Sequence, residues 1–231
     1  MTCTTPPALF LPAAVMIVTL GWASAVTAQQ TAPASSGDAN PEAAAAEEQA
    51  QRRLPGGGVM RADDFQRLTD ANRAAGLALR QALAGGAPDD VQALTAAMAG
   101  SAQPPDRATA AMAGDWSCQM MKLGGIGPLV VYPPFACRIG ADGRLDKLTG
   151  SQRTRGTIME WEGQTIYLGT AYIAGDTPPA YADLPEMVDI HAIPQFVPDA
   201  GIVEMTGTDR GRILFPRPWL ESDMNVMLLT R

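Results

Sequence analysis

With 231 residues, 46% of them apolar, the chain is long enough for one sizeable domain or two small ones and has an ordinary globular composition. A formal charge of -7 excludes a general affinity for nucleic acid, which needs a clustered positive field around the phosphates. Neither a C-x-x-C spacing nor a histidine cluster is present to build a metal site, and no cofactor motif occurs.

Residues 1–28 carry no charged side chain, and the apolar run Ala8–Trp22 ends shortly before Ala25-Val26-Thr27-Ala28. This pattern reads as a secretory signal (1–28) cleaved after Ala28; an uncleaved anchor is the alternative, but Pro12 interrupts the run and it is short for a membrane span. The mature chain is then expected to be periplasmic or secreted, with no stable membrane span. Cleavage removes Cys3 and leaves Cys118 and Cys137, an even pair in an oxidising compartment. In the cytosol the same two residues would be buried thiols. Residues 29–60 are mostly Ala, Pro, Ser, Gln, Glu and Gly, which cannot bury enough apolar surface to offset the entropy of ordering. They are expected to be a disordered spacer.

A helical hairpin is predicted over residues 61–100. Phe65, Leu68, Ala71, Ala75, Leu79 and Leu83 recur at spacings of three and four, placing one helix over Arg61–Ala84, with Gly85-Gly86 as its stop. A second helix runs from Pro88 to Ala99 through Val91, Leu94 and Met98. Each apolar stripe is too thin for a core of its own, so the pair should pack on the downstream domain or on a protein partner.

From residue 106 to the C-terminus the pattern turns to strands. Trp116, Cys118 and Met120 alternate with polar neighbours, as do Phe135, Cys137 and Ile139 with Ala136 and Arg138. A disulfide between Cys118 and Cys137 on antiparallel neighbours would set Trp116 opposite Ile139 and Met120 opposite Phe135. Asp142-Gly143 and Gly150-Ser151 mark turns, and Glu162-Gly163 joins Thr157–Trp161 to Gln164–Ala171. In that hairpin Met159 faces Ile166, Thr157 faces Leu168, and Gly156 faces Gly169, as where a sheet coils sharply to close. After Asp176-Thr177-Pro178-Pro179 comes a proline-interrupted stretch with one weak strand, Val188–Ile193. Strands resume over Gly201–Gly207, Arg212–Phe215 and Met224–Leu229. Eight or nine short strands predict an antiparallel barrel or sandwich.

Two resemblances add to this reading. The run Gly114-Asp115-Trp116-x-Cys118, Lys122-Leu123-Gly124-Gly125, Phe135-x-Cys137-Arg138 and Leu148-Thr149-Gly150-Ser151-Gln152-Arg153-Thr154 resembles a family of exported bacterial proteins known only as a domain of unknown function. Gly-x-Trp after a helical turn is similar to the start of calycin barrels, which implies a closed antiparallel β-barrel of about eight strands. In lipocalins a basic residue near the last strand packs on that tryptophan, a role open here to Arg231 or Arg217. Among similar barrels, periplasmic metalloprotease inhibitors also bridge their first strands by one disulfide.

Catalysis has little to draw on. His191 is the single histidine, no Gly-x-Ser-x-Gly elbow occurs, and Glu160 and Glu162 flank a hairpin tip rather than a cleft. Charge is more informative. Between Arg138 and Arg155 five bases face two acids, whereas Glu160–Asp209 holds nine acids and no base. Internal pairing accounts for such a distribution, and so does an anion site. The first reading is therefore a non-enzymatic exported barrel that binds a small amphipathic or anionic ligand, with Arg153, Arg155, Trp116 and Tyr167 as the ligand residues. Arg153 and Arg155 share a strand face with Met159 and Trp161, while Ile158 and Tyr167 make the other face apolar, so the sequence does not say which face is interior. A protein-binding module acting through the 61–100 helices, such as an inhibitor of a secreted protease, is the alternative; an enzyme built on Arg153, Arg155 and Tyr167 is the third reading.

Overall fold

The computed structural model of the chain describes residues 41–110 and 112–231; the signal segment and the first part of the expected spacer lie outside them. Eight strands follow one another around a closed antiparallel barrel: β1 Gly114–Gly124, β2 Gly127–Ile139, β3 Arg144–Lys147, β4 Gln152–Trp161, β5 Gln164–Ile173, β6 Phe196–Met205, β7 Arg210–Pro216 and β8 Met224–Thr230. Each strand pairs with the next, and β1 closes on β8 with Cys118 opposite Leu229 and Met120 opposite Met227. Closure removes both free edges.

The β4–β5 hairpin forms in the register that its turn dictates. Glu162 and Gly163 both adopt positive φ, as a two-residue turn of the right twist requires, and Met159, Thr157 and Gly156 face Ile166, Leu168 and Gly169. The missing side chain at Gly169 has a further use. A Cβ there would fall 2.2 Å from the Tyr167 hydroxyl, which instead meets Thr154 Oγ1 at 2.6 Å in the barrel interior.

The bridge between Cys118 and Cys137 is present, but its strands are offset from the expected register. Trp116 stands opposite Cys137, and Cys118 opposite Phe135, so the bonded cysteines are diagonal neighbours with a Cα separation of 5.9 Å. A shift of two residues keeps every side chain on its face, and face alternation alone cannot detect it. The irregularity between Gln119 and Met121 lies in the same pair of strands. The predicted strand Val188–Ile193 is absent. That segment is turns leading through a cis Ile193–Pro194 bond into β6, which starts earlier than expected, at Phe196.

The interior holds Trp116, both cysteines, Ile139, Leu145, Ile158, Tyr167, Phe215, Met227 and Leu229, so the face carrying Ile158 and Tyr167 is the inner one. Among the described residues five helices precede the barrel: α1 Pro41–Gln51, α2 Ala62–Thr69, α3 Ala71–Gly85, α4 Pro88–Met98 and α5 Pro105–Ala110. Residues 41–60, expected as spacer, form α1 and a tight return that buries Met60 completely; Trp161 donates to the Arg53 carbonyl there. The expected long helix is two, broken at Asp70, whose carboxylate accepts from Arg73 and from Arg217. The contact stripe of α3 is alanine rather than leucine. Ala71, Ala74, Ala78 and Ala82 are buried, which lets the helix lie close on Met121, Leu123 and Leu129, while Leu83 is exposed. Phe65 and Leu68 pack with Trp161, Ile166 and Leu168 on the other flank of the barrel.

The start of β1 and the end of β8 meet at a sealed end. Trp116 donates to the Met112 carbonyl at 2.8 Å, and Arg231 lies 4.3 Å above its ring while donating to the carbonyls of Ala113 and Thr208. Of the two arginines open to that role, Arg231 fills it. Arg217 is spent on Asp70.

Two stability changes are expected. Replacing both Cys118 and Cys137 by alanine should cost about 3 kcal/mol, the closure entropy of a loop of this separation, read as a lower urea midpoint. Arg231→Ala should cost about 1–2 kcal/mol and lower the melting temperature by several degrees.

Candidate ligand site at the open end of the barrel

Opposite the sealed end, the β3–β4, β5–β6 and β7–β8 connections, together with β1 and β2, surround a cavity of about 270 Å³. That is the liquid volume of about nine waters at ~30 Å³ each. Met120, Phe135, Phe215 and Met227 form its apolar depth, continuous with the core around the disulfide. Tyr132, Tyr172 and Trp219 add aromatic wall. Three cations reach into this space: Lys122 from β1, Lys147 from the end of β3 and Arg153 from the start of β4.

Their partners differ. Lys122 is 6% exposed and donates to Glu221, and to Gln152 Oε1 at 2.8 Å; Gln152 in turn donates to Glu221 at 3.0 Å. The hydrogen bond from Lys122 holds the Glu221 carboxyl below its ordinary range, against its partial burial. Lys147 is 5% exposed and has no carboxylate partner among the described residues. Its Nζ donates to the carbonyls of Thr149 at 2.9 Å and Gln152 at 2.6 Å and lies 3.8 Å from the centre of the Phe135 ring. Burial first, then the charges of Arg153 and Lys122, lower its pKa to about 8. Arg153 Nε donates to the Gly150 carbonyl at 3.1 Å. The short β3–β4 connection therefore seats two cations on backbone oxygens and neutralises neither.

Asp199, facing inward on β6, contributes the other carboxyl of the cavity wall. Burial pushes its pKa up to about 6, opposed by the Thr154 hydrogen bond and by the charge of Arg67. Outside the barrel, Asp64 of α2 is fully buried; it accepts from Arg67 and from the Tyr181 hydroxyl at 2.6 Å. Burial, with the Asp64 carboxylate adding to it, raises the Tyr181 pKa far above the ordinary phenol range. Arg67 also donates to the Pro198 carbonyl and lies 5.7 Å from the Trp219 ring. This buried pair thus ties the β5–β6 and β7–β8 connections, and with them the cavity rim, to α2.

Of the four residues picked out from the sequence, the structure brings one to the cavity. Arg153 lines it. Arg155 lies on the outer face, paired with Asp146, which also binds Arg144 at 3.2 Å. Trp116 is 3% exposed at the sealed end, and Tyr167 is buried beneath the cavity, edge-on to Phe215 and bonded to Thr154. Both support the site without lining it. Lys122, Lys147, Glu221 and Trp219 were missed, although the lysines carried a signal: they are the chain's two lysines against fifteen arginines, and both point into one cavity. Among the described residues no group of three His, Cys, Asp or Glu could hold a metal, and no helix is long and apolar enough to cross a membrane.

A family model described as a domain of unknown function (DUF4893) matches residues 57–229, taking in α2–α5 together with nearly all of the barrel. No curated protein and no solved structure matches.

The lysine has a thermodynamic consequence. A folded-state pKa of about 8 below the ordinary 10.5 means that the unfolded chain binds more protons between those values, so stability should rise as pH increases through that window. Comparing Lys147→Gln with the parent in urea at pH 7.5 and 9.5 should show a gain of about 1–2 kcal/mol confined to the parent.

Proposed function

We propose that this chain, which belongs to the DUF4893 family of unknown function, is an exported, non-enzymatic binder of a small amphipathic anion, held head-first in the open end of the barrel. The observation that carries the reading is the pairing deficit in the cavity. Lys147 and Arg153 are satisfied by carbonyl oxygens alone, whereas the cations of the outer sheet face, Arg144 and Arg155, have Asp146. A buried cation without a counter-ion is costly, and an incoming carboxylate or phosphate lowers that cost. The apolar depth formed by Met120, Phe135, Phe215 and Met227 suits a short hydrocarbon tail, which gives the ligand its amphipathic character. Its volume limits it to a small molecule.

Export is supported by the uncharged apolar N-terminus and by the disulfide, a bond that persists in oxidising compartments. The alternative, a protein-binding module using the helices, loses its main support. Phe65, Leu68 and Leu79, which it needs exposed, pack against the barrel.

Calorimetric titration of the full-length protein with hexanoate and with hexanol tests the proposal. Hexanoate should bind at least tenfold more tightly, and Arg153→Gln should weaken it about tenfold, the loss of one charge-assisted hydrogen bond. Equal affinity for acid and alcohol, or binding of neither, would remove the reading.

A further inference from the structure

We propose that Lys147 is a carbonyl-reactive amine and that the ligands of the cavity are small 2-oxo acids, a refinement that rests on the anionic-ligand reading above. Three observations lead there. First, the chain uses arginine for fifteen of its seventeen basic residues and lysine for two, and both lysines line this cavity. Arginine is the better carboxylate clamp and is always charged; what lysine adds is an amine that can lose its proton. Second, the two lysines are set up oppositely. Lys122 is paired with the Glu221 carboxylate, while Lys147 faces no carboxylate and donates to two backbone carbonyls. A neutral amine has two N–H groups and one lone pair, so those two acceptors satisfy it and leave the lone pair over. Third, a cation without a carboxylate of its own among the described residues lines the same cavity: Arg153, at the start of β4, donates to the Gly150 carbonyl.

The remaining titratable groups of the cavity are Glu221, Asp199, Tyr132 and Tyr172. With its pKa near 8, about a tenth of Lys147 is neutral at pH 7, a usable population of nucleophile. The carboxylate of a 2-oxo acid binds at Arg153, which brings the adjacent ketone carbon toward Lys147 Nζ. The nitrogen lone pair forms the new C–N bond, both amine protons leave the nitrogen, and the carbonyl oxygen departs as water. The product is an imine, formed without any change of oxidation state and reversed by hydrolysis.

The test is reductive trapping. Full-length oxidised protein is incubated with 2-oxohexanoate and sodium cyanoborohydride, then intact mass and proteolytic peptides are measured. The expected product is a single adduct whose mass gain equals the acid less one oxygen atom, mapped to Lys147 in at least tenfold excess over Lys122 and the α-amine. Lys147→Arg, its fold checked by near-UV circular dichroism, should lose the adduct. Hexanoate binding by the unmodified protein is measured alongside. If hexanoate binds but no adduct forms, or the adduct maps to Lys122 or survives Lys147→Arg, the amine assignment is overturned and the anion reading stands. If neither acid binds nor reacts, both are overturned.

Discussion

Everything in this molecule depends on β1 and β2 being locked together inside the barrel. The Cys118–Cys137 bridge ties diagonal positions of that pair, and around it the apolar core divides the barrel into two ends with different tasks. Toward one end, Trp116 takes a hydrogen-bond acceptor from the chain before β1 and Arg231 from the chain after β8, so the two termini of the sheet close on a single indole. Toward the other, Met120 and Phe135 pass from core to cavity wall. A closed sheet has no free edge to slip, and a covalent cross-link at its first hairpin fixes the one register that the side-chain alternation left ambiguous.

The cavity is where the fold accepts a cost. Burying Lys147 without a carboxylate depresses its pKa, and seating it and Arg153 on adjacent carbonyls provides enough hydrogen bonding to keep them inside but not enough to neutralise them. The same protein pairs Arg155, Arg144, Arg212 and Lys122 with carboxylates. Among the described residues Lys147 and Arg153 lack such a partner, and the proposed anion site rests on that difference.

The helices cover the barrel on two flanks, the alanine stripe of α3 on one and the half-buried side chains of α2 on the other. The buried Asp64–Arg67 pair adds a polar tether from α2 to the loops that frame the cavity, through Tyr181, Pro198 and Trp219. Such a pair is weak support for stability but a strong device for holding two loops in one arrangement.

Local chemistry was legible from the residues alone. A two-residue turn with the right φ preferences fixes its hairpin, so the β4–β5 register followed from Glu162-Gly163, and two cysteines in apolar alternation on neighbouring strands announced their bond. What depends on long-range closure was decided only in three dimensions. Strand periodicity is blind to a slip of two residues and to which face turns inward, so the β1–β2 offset and the outward position of Arg155 had to await the barrel. Choosing Arg231 over Arg217 required knowing which ends of the chain meet at Trp116. The isolation of Lys147 lay further still from the sequence, because a missing partner is a property of everything that surrounds a side chain, not of the residues beside it.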